Sequence, residues 1–239
     1  MALLTTEIHL GMVDSTMESA WAIAKEQDFL LVTAEGQTRG KGTRGRVWQS
    51  PKGNVYMTVG INRRHLPPER LALLPLEIGI LLWEEAAGRL DDSSRKSLFL
   101  KWPNDLVMAG AKAAGILMES HGDFLLCGAG VNVAEAPRVE DGGAATACLS
   151  RGGMPATDSQ AFADGFYRRV LRAFSPEAGF DSESVLMAWQ AKVDWDRNHR
   201  LRDRDGTPLV KPVSVNRQGH LLVRHMDGST EWLVSDYLI

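Results

Sequence analysis

Lys101, Trp102, Pro103, Asn104 and Asp105 are followed shortly by Lys112-Ala113-Ala114-Gly115-Ile116-Leu117. One short stretch thus holds two cations, an aromatic ring, an amide and a carboxylate. Such a set can hold an anionic substrate and manage its charge during group transfer. Pro103 fixes its own φ and biases Trp102 toward extended backbone, which gives Asn104 and Asp105 a stiff support. A lone Trp-Pro-Asn-Asp is more often a turn beside a core tryptophan. The second lysine, and a basic loop upstream, favour the chemical reading.

That upstream loop runs Gly40-Lys41-Gly42-Thr43-Arg44-Gly45-Arg46. It matches the G-x-G-x-x-G dinucleotide fingerprint literally, but that fingerprint requires a helix to open directly behind it. Here Val47-Trp48-Gln49-Ser50-Pro51-Lys52-Gly53 leads through a turn into a strand-like segment, Asn54 to Ile61. A Rossmann site is therefore rejected. What stands is a run of cations, Arg39, Lys41, Arg44 and Arg46, interleaved with glycines. Glycines allow close backbone approach, and amides with cations suit a phosphate. Without an anion these cations are expected to repel one another and leave the loop floppy. The alternative, a nucleic-acid patch, sits poorly with a net charge of −3.

The elements that must carry these residues read as α/β. Ser15-Thr16-Met17-Glu18 is a capping box opening a helix to about Lys25. Phe29 to Ala34 reads as a buried strand. Pro67-Pro68-Glu69 starts a helix that runs to about Leu90 and backs the sheet. Leu106 to Lys112 reads as a strand entering a tight turn, and Asp123 to Asn132 as another strand. Residues 135–153 read as a loop before a helix over Ser159 to Phe174. A boundary falls near 176–186. Beyond Trp189, short strand candidates at 200–202, 213–215, 221–224 and 230–234 alternate with Gly-containing turns, including Asp205-Gly206, a small-barrel pattern.

Length bounds the answer at one sizeable core with a small appendage. Cys127 and Cys148 show neither metal spacing nor a disulfide framework, which fits a cytoplasmic protein. The start, Met1 to Glu7, lacks the basic and apolar regions of a secretory leader. The apolar run from Leu71 to Trp83 is interrupted by Pro75 and Glu77, so no membrane span is expected.

Taken in order, several of these segments resemble the biotin–protein ligases. They are Asp14-Ser15-Thr16, Ala34-Glu35-Gly36-Gln37 with the Gly/Arg loop, Val47-Trp48-Gln49-Ser50-Pro51, Lys101-Trp102-Pro103-Asn104-Asp105, Lys112 to Glu119, and Gly128-Ala129-Gly130-Val131-Asn132-Val133. The likeness is strong over residues 8–135 and looser over 183–239. It implies an α/β (α+β) fold with a mixed sheet backed by helices, of the class II synthetase-like kind. Residues 1–182 would form the catalytic domain and 183–239 a small SH3-like barrel. It implies ATP-dependent formation of biotinyl-5′-AMP, then transfer of biotin to a lysine of a biotin carboxyl carrier protein.

The resemblance also assigns roles. Lys112 and Asp105 take the catalytic places. Ser15, Thr16, Gln37, Gly40, Lys41, Gly42, Lys112 and Gly115 take the biotin side. Lys41, Arg44, Arg46, Trp48, Asn104 and Asn132 take the nucleotide side. Mg²⁺ is expected to come with ATP, with no permanent metal site. No specific DNA partner and no DNA-reading domain before Ser15 are expected, and a homodimer is left open. A lipoate or octanoyl ligase of the same fold, or a non-catalytic biotin-binding regulator, would share much of this pattern. Three positions depart from the family: Met17 stands where Asn is usual, Lys41 replaces an arginine, and Thr43 stands where Arg is frequent.

Overall fold

A computed structural model describes residues 3–138, 145–201 and 208–234. Eleven strands and five α-helices are seen among them. A seven-stranded sheet has the order β1-β2-β3-β7-β6-β5-β4. Its strands are β1 (Thr5–Val13), β2 (Phe29–Gln37), β3 (Val55–Asn62), β4 (Leu98–Lys101), β5 (Asp105–Met108), β6 (Ala111–His121) and β7 (Phe124–Val131). β1 runs parallel to β2 and every other pair is antiparallel, so the sheet is mixed.

Both faces of the sheet are covered. Leu30 and Val32 of β2 pack with Met17 and Ala20 of α1 (Thr16–Ile23). Their neighbours Phe29 and Leu31 point the other way, into the core shared with α2 (Pro68–Ala87) and α4 (Ser159–Ala173). Successive strand residues alternate faces, so two covered faces require an unbroken apolar run. α2 is buried over most of its circumference and continues through Pro75. The short α3 (Asp92–Arg95) is capped by Asp91.

α1 differs from expectation in one detail. Ser15 is the N-cap and accepts from the Met17 amide, but Glu18 makes an ion pair with Lys41 instead of closing a reciprocal box. β1 and α5 (Ser182–Gln190) carry no clear sequence signal. α5 is capped by Asp181 and packs on α2. The chain then runs beside β4, where Leu100 donates to the Lys192 carbonyl. The C-terminal strands β8 (His199–Arg200), β9 (Leu209–Val215), β10 (Leu221–His225) and β11 (Thr230–Leu233) form a four-stranded antiparallel sheet in the order β11-β10-β9-β8. The expected barrel is seen to this extent. Arg202, Asp205 and Gly206 lie outside the described residues.

Candidate active site

β5 and β6 set the central geometry. Asp105 pairs with Gly115 and Leu106 with Ala114, but Val107 pairs with Lys112, leaving Ala113 as an extra residue. Such a bulge shifts the face on which the residues beyond it project. Lys112 and Gly115 are three apart and would otherwise project to opposite faces. With the bulge they share one. A Cβ on Gly115 would sit 3.0 Å from the Lys112 Nζ and 3.1 Å from the Trp48 ring. Gly130, paired with Gly115 across β6 and β7, lies directly under the indole, and a Cβ there would overlap it. Two bare glycines thus let Trp48 and Lys112 lie against the sheet.

The Lys112 ammonium is 2.6 Å from Asp105 Oδ1, both side chains mostly buried. It also lies 5.5 Å from the Trp48 ring centroid, in cation–π range. The Lys112 backbone donates to the Ala145 carbonyl and accepts from the Ala147 amide, so the segment after residue 144 borders the site. Asn104 donates from Nδ2 to the Ile116 carbonyl at 2.6 Å, which ties the loop between β4 and β5 to β6. The Trp102–Pro103 peptide in that loop is cis. Asn132 directly follows β7 and donates to the Lys112 carbonyl at 3.3 Å.

A second polar group lies where α1 begins. Gln37, the last residue of β2, accepts from the Thr16 amide at 2.9 Å and donates to Ser50 Oγ at 3.1 Å. Thr58 donates to Thr16 Oγ1 at 2.9 Å. Ser15, Thr16 and Thr58 are all buried. Met17 turns into the apolar cluster under α1, against Gly128.

The basic loop folds back on itself: Lys41 bridges Val47, Gly42 donates to the Arg46 carbonyl, and Trp48 donates to the Gly40 carbonyl. Its cations are largely matched, against expectation. Lys41 pairs with Glu18 at 2.9 Å, Arg39 pairs with Asp14, and Arg46 donates to Thr43 Oγ1 at 2.9 Å. Arg44 sits at the tip with φ 59°. Self-repulsion is offset because Glu18 of α1 and Asp14, just after β1, present carboxylates toward the loop. Hydrogen bonds from Thr38 and Arg39 hold the Asp14 carboxyl below the usual carboxylate range.

Sequence reasoning missed three supports. Ser50 and Thr58 brace Gln37 and Thr16. Asn54 accepts from the amides of Val133, Ala134 and Glu135 and donates to the Glu135 carbonyl, shaping the chain beyond Asn132. Ser50 lay inside a recognised motif, whereas nothing in the spacing marks Asn54.

Trp48 Nε1 and Asn132 Oδ1 are buried and make no hydrogen bond, while the buried Asp105 Oδ1 has the Lys112 ammonium as its partner; each belongs to an expected site residue. Buried polar atoms are nearly always paired, so such a cluster suits a polar ligand. Among the described residues, Glu7, His9 and Asp164 bring metal-ligating atoms within 4.8 Å of one another, but they lie on β1 and α4, not among these side chains. Asp105 is the carboxylate at the site and already faces Lys112. This donor set fits Mg²⁺ carried in by a nucleotide better than a resident ion.

The chain is similar to known proteins over most of its length. The Biotin/lipoate A/B protein ligase family model matches residues 10–132. The biotin protein ligase from Leishmania major, solved in complex with biotinyl-5-AMP, superposes with a TM-score of 0.74 at 30% identity, covering 96% of this chain and 99% of that one. The biotin–[acetyl-CoA-carboxylase] ligase of Mycobacterium tuberculosis is 30% identical over 132 residues, 55% of this chain and 49% of that protein. The bifunctional ligase/repressor BirA of Bacillus subtilis is 27% identical over 243 residues, 92% of this chain and 70% of that protein. The match thus spans about half the length of the Mycobacterium relative. The chain belongs to the biotin/lipoate A/B protein ligase family, and within it to the biotin protein ligases.

Proposed function

We propose that the protein joins biotin to ATP, giving biotinyl-5′-AMP and pyrophosphate, and then passes the biotin to a lysine of a biotin carboxyl carrier protein in the cytoplasm. The observation that carries this reading is the Lys112–Asp105 pair on a glycine floor, ringed by unsatisfied Trp48 and Asn132 atoms.

In this reading Ser15, Thr16 and Gln37 receive the ureido ring, exchanging their internal hydrogen bonds for ligand ones. Gly40, Lys41 and Gly42 close over the biotin tail. Lys112 leaves Asp105 to hold the biotin carboxylate, whose oxygen attacks the α-phosphorus as pyrophosphate leaves. Lys41, Arg44 and Arg46 face the phosphates, and Trp48, Asn104 and Asn132 the nucleoside. Mg²⁺ arriving with ATP would neutralise the leaving pyrophosphate, and Asp105 is the carboxylate that would hold it. In the second step the carrier amine attacks the acyl carbonyl, AMP departs with the C–O bond electrons, and Asp105 is placed to take the proton. A lipoyl or octanoyl tail offers the hydroxyls and amide at α1 no hydrogen-bonding group, so they would keep their internal partners and add nothing to its binding.

The test is pyrophosphate exchange with ATP and Mg²⁺ in the presence of biotin, lipoate or octanoate. Exchange is expected with biotin alone. Exchange with lipoate or octanoate but not with biotin overturns the substrate assignment.

A further inference from the structure

The hairpin that presents Lys112 is tied down by a residue of the C-terminal segment. β5 and β6 are joined by a tight turn at Ala109 and Gly110, both with positive φ, 49° and 80°. This is the twist-matched hairpin turn, and it fixes the relative placement of the strands it joins. The Ala109 amide donates to the Ser97 carbonyl at 2.9 Å. The Gly110 carbonyl accepts from Arg197 Nη2 at 2.8 Å. The guanidinium lies close against Gly110: a Cβ there would overlap Nη1 and push Arg197 aside. Arg197 comes from the segment between α5 and β8, far from the hairpin in sequence.

Lys112 is two residues from this contact, roughly 7 Å along the strand. Its ammonium has to reach the substrate carboxylate from a bulged register that the ladder alone holds weakly. Small displacements of a reacting group cost rate, because alignment must be recreated in each turnover. Of the bonds named at the turn, the one from Arg197 is made by a side chain, so it can be removed without altering the ladder.

We propose that Arg197 is a positioning residue for Lys112, coupling the C-terminal segment to the adenylation step through the Gly110 carbonyl. The proposal rests on the functional reading above. Arg197 is exposed, so its truncation leaves no buried cavity. The experiment compares wild type, Arg197→Ala, Arg197→Lys, Lys112→Ala and the Arg197→Ala/Lys112→Ala double variant in single-turnover adenylation. Amide exchange at residues 109–112 is followed in the wild type and Arg197→Ala.

Arg197→Ala is expected to lower the rate at saturating substrates by roughly three- to thirtyfold, less than a charge-assisted hydrogen bond to the substrate itself would give because the contact is exposed and acts through the turn, with KM for biotin nearly unchanged. Arg197→Lys should recover part of the loss. In the Lys112→Ala background, Arg197→Ala should have no further effect, since residues acting through one another are non-additive. Wild-type turnover in Arg197→Ala, or a full additional loss in the double variant, overturns the proposal. If no biotin-dependent adenylation occurs in the wild type, the functional reading fails. Exchange at residues 109–112 then decides the clamp alone: faster exchange in Arg197→Ala supports it, and unchanged exchange overturns it.

Discussion

Lys112 and Gly130 make separable demands at the level of single residues. Charge-assisted hydrogen bonds contribute about 1.5–3 kcal/mol. Lys112→Ala should therefore slow adenylation by roughly ten- to a few-hundredfold, since about 1.36 kcal/mol is a factor of ten. Single-turnover kinetics at saturating biotin checks this, and wild-type turnover would remove Lys112 from the mechanism. Gly130→Ala asks the opposite question. Gly130 is in the middle of the β3–β7–β6 ladder with ordinary strand dihedrals, so alanine suits the backbone. Its methyl would displace Trp48 from the floor. Thermal stability is expected to hold, while KM for ATP rises more than KM for biotin. A rise confined to biotin would place Trp48 on the wrong side of the site.

Elements carry the loop's behaviour and most of what the sequence could not say. Lys41–Glu18 and Arg39–Asp14 tie the basic loop to α1 and to the end of β1. A half-exposed pair such as Lys41–Glu18 stabilises by roughly 0.2–1 kcal/mol. Glu18→Gln should thus raise tryptic cleavage within residues 39–46 by about two- to fivefold in the absence of ligands, and an unchanged rate would show that the pair holds nothing. Thr43 acts here by holding the Arg46 guanidinium. Thr43→Arg adds a cation and frees Arg46 together, so preformed biotinyl-adenylate should dissociate more slowly. Dissociation as fast as from wild type would dismiss Thr43 as a weak point in retention. The α2 and α4 helices, the β2, β3 and β7 strands and the C-terminal turns were legible because periodicity, caps and glycine turns are local signals. The bulge at Ala113 was not, since Lys-Ala-Ala-Gly carries no mark of which residue goes unpaired. Nor was the aim of Glu18, because a capping box and an ion pair to a distant loop use the same residue types. β1 was missed although Ile8, Leu10 and Met12 alternate, because an edge strand with one exposed face gives a weak apolar pattern.

Acid response belongs to the whole molecule, because two buried groups titrate in successive windows. His199 of β8 lies where the C-terminal sheet meets β4. Burial, with the nearby charges of Lys101 and Arg197, pushes its pKa from 6.5 down to about 4. The folded state therefore binds fewer protons than the unfolded chain between those values, and stability falls as the pH drops from 6.5 toward 4. Asp28 is different. Burial alone would raise its pKa, but hydrogen bonds from the Leu4 amide, His65 and Arg64 outweigh it and bring the pKa from 3.8 to about 2. Its stabilisation is complete above 3.8 and is lost as the pH falls from there toward 2. A tenfold difference in proton affinity between folded and unfolded chains is worth about 1.4 kcal/mol, so the His199 window spans at most about 3 kcal/mol. The Asp28 window is smaller, below about 2 kcal/mol, because water reaches its half-exposed partner Arg64 and screens the pair. Urea unfolding at a series of pH values should show a first decline beginning near 6.5, ahead of ordinary carboxylate titration. His199→Gln should flatten that decline and leave the second, more acid one in place. A slope between pH 6.5 and 4.5 that persists undiminished in His199→Gln would mean that the seam between the two sheets is not where acid first acts.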